Sequence, residues 1–360
     1  MNWSKKLYKI FTEYDPSTLI NNLHTKFKLY EVDDEAIIST ITDEVKPNSY
    51  VASPYALIIN YSKDELFKIE SKVQRAFFSL LIKVFDVFFR FSKIDKVQTL
   101  NNYLLATNFF SDKWEELNLK ELEQKATEAY PEHTLLFRSV NPTQNPKLFQ
   151  NLLNNGWIGV VTRQVYLFRD EERWMGKRDS KKDRKLRDSK RFSFVKVEDV
   201  EHCDFERIEE LYGQVYLKKH SEHNIHYTAE FFPKMVENNL YSLHLLQDNE
   251  NKKYVGVVAL TNDLKVTTLP LLGYDTSYPQ KDALYRRLMD FGIGYAFEHG
   301  LLLNISSGAS TFKLTRGAEA ELEYMFVKVD HLPFYRRVVW RGLAYLSEKF
   351  YAPMLVRLKL

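Results

Sequence analysis

The feature that most constrains this chain is an internal repeat. Residues 96–100 read KVQTL and residues 265–269 read KVTTL, with the second lying 169 residues after the first. The likeness runs on past the pentapeptide. NNYLLATNFFSDK, the amphipathic run WEELNLKELEQKATEAYPEH and TLLFRSVNP follow the first copy; PLLGYDTSYPQK, DALYRRLMDFGIGYAFEHG and LLLNISSGA follow the second. Each copy predicts strand, loop, helix and strand, with helix starts near Ser111-Asp112 and at residues 280–282. Five residues can match by chance, but three further elements agreeing in order and length imply two similarly folded halves. A chain of 360 residues is long enough for two cores. The expected division is a first half over residues 1–170, a basic helical connector over 171–191, a second half over 192–350 and a C-terminal strand over 351–360.

The second half reads most clearly. FSFVKV (192–197) is a strand, and Asp204 opens a helix. A further helical segment ends at Asn238-Asn239. Residues 241–246 and 254–261 are strands joined by the polar turn QDNENKK, and 266–272 continues the meander. A helix over 282–299, strands over 301–305 and 321–329, and a basic helix over 333–349 complete the unit. In that last helix Tyr335, Val338, Val339, Leu343 and Leu346 form the apolar stripe and Arg336, Arg337 and Arg341 lie off it. Val356, Arg357, Leu358, Lys359 and Leu360 alternate as a half-buried strand would, with a membrane-docking helix as the rival reading. This order fits neither a doubly wound alternation nor a sandwich; it predicts an α/β fold with a mixed sheet flanked by helices.

In the first half, FFSLLIKVFDVFFRF (77–91) is interrupted by Lys83, Asp86 and Arg90, short of the ~18 uncharged residues that a membrane span needs. It reads as a mostly buried helix with one wet edge. The N-terminal residues have no apolar core of a secretory signal. A single cysteine, Cys203, leaves no intramolecular disulfide or Cys-rich zinc knuckle and suits a reducing, cytoplasmic address. Net charge is only +3, against a global nucleic-acid surface, yet residues 173–191 hold ten basic and three acidic residues. That segment is expected to be a solvated helix, either a plain connector or a phosphate-facing element.

The order of elements resembles the Gcn5-related N-acyltransferase (GNAT) superfamily, and more narrowly its tandem-domain branch of FemABX-like and cellulose-biosynthesis-accessory acyltransferases. The residues that carry the resemblance are LLGYD, then SSGAS, FK at Phe312-Lys313, RGAE at 316–319 and HLP at 331–333. It implies two tandem GNAT-like domains, the first degenerate, and an N-acyltransferase in which an amine attacks an acyl thioester directly. It implies acyl-CoA as co-substrate, with no permanently bound cofactor and no metal. A small-molecule or lipid-linked amine would be the acceptor; DNA is not expected, and tRNA and a peripheral membrane contact are secondary expectations. Aminoacyl-tRNA as donor, or a non-catalytic binding scaffold, are the competing readings. By the same resemblance the oxyanion donors fall at Leu272, Gly273 and Tyr274, and the donor's pyrophosphate at Gln280 and Lys281 with Arg286 and Arg287. The glycine-bearing phosphate loop of the superfamily is absent, since Ala283 and Tyr285 occupy its glycine positions. The equivalent first-half loop places Asp112, Glu115 and Glu116 at its helix start, where they repel phosphate.

Direct attack by an amine needs a base, and Glu319, Glu321 and Glu323 share one face of a predicted strand with Tyr324 on the other. Glu321, Glu323, Tyr324 and His220 are the catalytic candidates; the alternative for the carboxylates is a charged exposed edge. Tyr212 and Tyr216, in helical register with His220, are expected to face the acceptor groove, and Lys313 and Arg316 to bind an anionic group. His220, His223 and His226 do not converge well enough for a metal. Cys203, just before a helix, is expected to have a lowered pKa.

Overall fold

The computed structural model describes residues 3–66, 71–217, 222–262 and 265–358; His220 lies outside the described residues. The fold is α/β, a large curled mixed sheet and a smaller antiparallel one flanked by helices. The strands are β1 (Lys26–Val32), β2 (Glu35–Thr42), β3 (Val97–Leu100), β4 (Thr134–Val140), β5 (Ile158–Phe168), β6 (Phe192–Lys196), β7 (Tyr241–Asp248), β8 (Lys253–Thr261), β9 (Val266–Thr268), β10 (Leu271–Tyr274), β11 (Leu302–Asn304) and β12 (Glu319–Lys328). The large sheet runs β1-β2-β3-β4-β12-β5-β11-β9, and the smaller runs β10-β8-β7-β6.

The repeat is visible at the level of single hydrogen bonds. In the first half β3 and β4 are parallel, and the Thr134 N–H donates to the Lys96 carbonyl at 2.9 Å. In the second, β9 and β11 are parallel, and the Leu302 N–H donates to the Lys265 carbonyl at 3.1 Å. Each returning segment then places a serine in the left-handed region, Ser139 at φ 59° and Ser306 at φ 59°. The middle of the sheet interleaves the two halves. β12, from the second half, lies antiparallel between β4 and β5, and β5, from the first, lies antiparallel between β12 and β11.

Three expectations are corrected. The single strand expected over 266–272 breaks at Leu269-Pro270: β9 joins the large sheet and β10 stays with β8. Pro270 has no N–H to give a ladder, so the chain can change sheets there. The expected C-terminal strand is helical: α9 (Phe334–Leu346) continues through a π-turn (Ser347–Tyr351) into α10 (Ala352–Leu358). The main helices before these are α1 (Trp3–Glu13), α2 (Lys72–Phe91), α3 (Leu119–Ala129), α4 (Arg178–Arg184), α5 (Phe205–Tyr216), α6 (Phe231–Glu237), α7 (Leu284–Glu298) and α8 (Ser310–Thr315). Ala352 and Leu355 pack on Val161 beside Leu322 and Tyr324, a spacing of three that only a helix presents on one face. Five alternating residues are too few to separate the two periods. Third, α2 is not mostly buried: Ile82 and Phe89 are, while much of its apolar surface is exposed.

Arg336, expected off the apolar stripe, is 2% exposed. Its guanidinium donates to the carbonyls of Ser92 (2.9 Å), Lys93 (3.3 Å), Lys96 (3.1 Å) and Glu132 and to Thr134 Oγ1 (3.3 Å). It thus ties α9 to the end of α2 and to the start of the β3–β4 pair. Replacing Arg336 with Leu strands several buried carbonyls, and the unfolding free energy should fall by roughly 3 kcal/mol. An unchanged denaturant midpoint would show that the tie is dispensable.

Candidate active site

The break at Pro270 opens a wedge in the second half, with β10 on one side and β11 on the other. Asp275 N–H donates to the Val255 carbonyl, so along this antiparallel pair Gly273 and Leu271 face β8, and Leu272 turns its N–H toward the open edge. Gly273 is required by close approach: a Cβ there would lie 2.6 Å from the Leu211 carbonyl carbon and 2.6 Å from the Tyr212 nitrogen, on α5. Asp204 caps α5, accepting from the Arg207 N–H, as its sequence predicts. The rings of Tyr274, Tyr285 and Phe312 follow one another from β10 through α7 to α8, at centroid distances of 6.1 and 4.8 Å.

Tyr212 does not face a groove. It is buried, its hydroxyl donates to the Ile225 carbonyl at 2.9 Å, and its ring stacks on half-buried Tyr216 at 4.9 Å. Burial pushes its hydroxyl well above the usual range. Cys203 is likewise corrected: half-buried and beside Asp204, its thiol is pushed up to about 11 rather than lowered.

At the start of α7, Ala283 takes a left-handed φ of 56°. Gln280 and Lys281 are exposed, whereas the two arginines meant to compensate for the missing glycines are engaged by the connector. Arg286 donates to Asp183 at 2.6 Å, and Arg287 donates to the carbonyls of Asp282 (2.9 Å) and Leu186. Arg316 reaches the other oxygen of Asp183 at 2.5 Å, and both are buried. Arg187 crosses α7 to Asp290 at 2.6 Å and occupies the space a side chain at position 294 would need, since a Cβ on Gly294 would lie 2.6 Å from its Nη2. The 173–191 segment is therefore docked on the second half through its ion pairs and is not a freely solvated helix. Its outer face keeps Lys181, Lys182, Lys185 and Lys190 in water.

Lys313 and Arg316 do not present an anion site. Lys313 is 3% exposed and donates to the carbonyls of Ile305 (2.7 Å), Ser306 (3.1 Å) and Ser307 (2.8 Å). Burial pushes its pKa down, while three acceptors match the three N–H groups of an ammonium. It fixes the chain leaving β11, which forms the far wall of the wedge.

The glutamates of β12 have three different environments. Glu319 pairs with Arg169 and Arg173; Glu321 is half-buried; Glu323, 2% exposed, accepts from Arg163 Nε at 2.7 Å, and its Oε2 has no hydrogen-bond partner. Tyr324 turns from them and packs edge-on against Phe149 at 5.1 Å. Glu323 lines a narrow cavity of about 20 Å³, room for one water, together with Tyr50, Thr99, Arg138 and Arg163. None of its lining residues belongs to β10 or α7. Arg163 also donates to the Ala106 carbonyl (2.7 Å) and Thr107 Oγ1 (3.1 Å), and Arg138 to Asn102 Oδ1 (3.2 Å) and the Leu105 carbonyl (3.3 Å). Burial pushes Arg138 down to about 10, still cationic at neutral pH. These two arginines fasten the 102–107 segment over the first-half strands, where the second half has its wedge. Sequence reasoning missed both; the signal for Arg138 is one charge in the apolar strand TLLFRSV. Among the described residues no group of His, Cys, Asp and Glu could hold a metal ion.

No family model matches the chain, and no curated protein matches it. Among solved structures it is similar to the C-terminal domain (DUF2156) of a protein described as a lysylphosphatidylglycerol synthetase from Agrobacterium fabrum, with 13% identity over 65% of this chain and 78% of that one and a TM-score of 0.46. FemX gives 11% identity over 61% and 78% with a TM-score of 0.45. A tandem GNAT protein from the clavulanic acid biosynthesis pathway gives 12% over 60% and 68% with 0.33. Likenesses of this size do not assign a family.

The connector's anchor can be tested by Asp183→Asn, which leaves Arg286 and Arg316 facing a neutral amide. Stability should fall by about 3 kcal/mol, read as a lower denaturant midpoint. A shift within error would mean that the connector is held by Trp174 packing alone.

Proposed function

We propose that this chain is an acyltransferase that moves an acyl group from a thioester donor, acyl-CoA, to an amine. The observation that carries the proposal is the wedge at Pro270, where a strand divides between two sheets and turns the Leu272 N–H to an open edge directly ahead of a helix start. A backbone donor held in a fixed strand is what a developing oxyanion requires, because it needs no rearrangement during the reaction. In the proposed step the amine attacks the acyl carbonyl, the C–N bond forms and the C–S bond breaks. Glu321, half-buried on β12, is the proposed base that takes the ammonium proton, since Glu323 is held by Arg163 in a separate cavity. The departing thiolate takes the proton that the attacking nitrogen sheds as the amide forms and leaves as the thiol. Lys281 and Gln280, exposed at the start of α7, are the proposed contacts for the donor's pyrophosphate. The GNAT resemblance supports the same reading.

Three observations favour a second reading, aminoacyl-tRNA as the donor. Arg286 and Arg287 are committed to the connector, the phosphate loop has no glycine, and the connector's outer lysines form a basic face beside α7.

Purified protein should release thiol from an acyl-CoA in the presence of an amine, and mass spectrometry should find the amide. Leu272→Pro removes the N–H and the side chain; Leu272→Ala removes the side chain alone. The proline variant should lose about a hundredfold more kcat than the alanine variant. Equal losses would rule out the backbone donor, and turnover with aminoacyl-tRNA but no acyl-CoA would select the second reading.

A further inference from the structure

Helix α2 is apolar on two opposite sides. Ile82, Phe85 and Phe89 face inward, packing with Trp340, Val339 and Leu343 of α9. About half a turn away, Val73, Phe77, Leu80, Val84, Val87 and Phe91 recur at alternating steps of four and three, and all six are exposed, from 43% to 80%. The stripe continues onto the C-terminal helices. The Phe91 ring lies 5.2 Å from that of Tyr335, and Phe334, Tyr345 and Phe350 are also exposed. A soluble protein seldom leaves so large a contiguous apolar surface in water without a use for it.

We infer that the face formed by α2 and α9–α10 docks on an anionic lipid surface. Charge decides between the occupants. Residues 72–91 hold four basic residues and one acid, and residues 334–358, leaving aside buried Arg336, hold four basic residues and one acid as well. Lys72, Lys83 and Arg90 flank the stripe on one side of α2, where a helix lying in a membrane interface places its cations at headgroup depth. A second copy of the chain would bring this basic face against itself, whereas anionic headgroups neutralise it. No helix among the described residues is long and apolar enough to cross a membrane, so the contact is peripheral. Apolar insertion together with a basic rim supplies the two signals that a stable peripheral attachment takes. This inference goes beyond acyl transfer and does not depend on it.

The test is flotation of the full-length protein with vesicles of phosphatidylcholine alone and of phosphatidylcholine mixed with phosphatidylglycerol. The protein should float with the anionic vesicles, less with the neutral ones, and less as salt rises. The double variant Phe77→Glu, Val87→Glu should partition at least about tenfold more weakly, and Lys72→Glu, Lys83→Glu should lose the preference for anionic lipid, both with unchanged melting temperatures. Absence of wild-type flotation with anionic vesicles overturns the inference. So does flotation that both variants retain, or a wild-type dimer that the Phe77→Glu, Val87→Glu variant converts to a monomer while lipid binding is absent.

Discussion

The interleaving of β5 and β12 is the constraint on which the rest of this structure depends. Each of these strands pairs with the other and with a strand of the half that it does not belong to, so neither half can complete its sheet alone. The pairing is continuous from Glu319 opposite Leu167 to Val327 opposite Ile158, with one irregularity between Glu323 and Tyr324. At that irregularity the buried ion pair of Arg163 and Glu323 spans the two strands. A buried pair gives little net stability over an apolar alternative, but breaking one partner leaves an uncompensated charge, so it resists a slipped register.

The two halves use their equivalent positions differently. In the second, the strand after Lys265 breaks at a proline and leaves a wedge with a backbone N–H at its edge. In the first, the chain after β3 folds back, and Arg138 and Arg163 hold the carbonyls of Leu105 and Ala106 against the sheet. The same topology thus gives an open site in one copy and a fastened segment in the other. The connector adds to the asymmetry, because it is tied by ion pairs to second-half elements, through Asp183 to Arg286 and Arg316 and through Arg187 to Asp290. Of the two arginines that the resemblance assigns to a phosphate, Arg286 is here neutralised by the connector's Asp183, and Arg287 is held by the carbonyls of Asp282 and Leu186.

The amphipathic patterns show how far periodicity reaches. For α5 and α7 the apolar residues face the core, as their spacing implies. For α2 the apolar residues go all round the helix, a pattern that fits burial on both sides or burial on one side with a second apolar surface left for a partner. Only the position of α2 at the outside of the fold, packed on α9 and on the 55–66 segment from its inner side, separates these cases.

What the sequence determined by itself was the repeat, the α/β class, the order of most elements and several local devices: the Asp204 cap, the exit at Asn239 (φ 52°) and the hairpin between β7 and β8. These depend on residues within a few positions of one another, and a linear pattern records such neighbours directly. Tertiary structure decided which long-range partner each charge met. Lys313, Arg316 and Arg336 look like surface cations in sequence, yet each is buried because carbonyls or a carboxylate brought from distant segments satisfy its N–H groups. The same holds for the split at Pro270 and for the helical C-terminus, since a short run takes the conformation that the neighbouring surface rewards. Chain separation explains the division: Arg336 binds the carbonyl of Ser92, 244 residues away, and no local spacing encodes that contact.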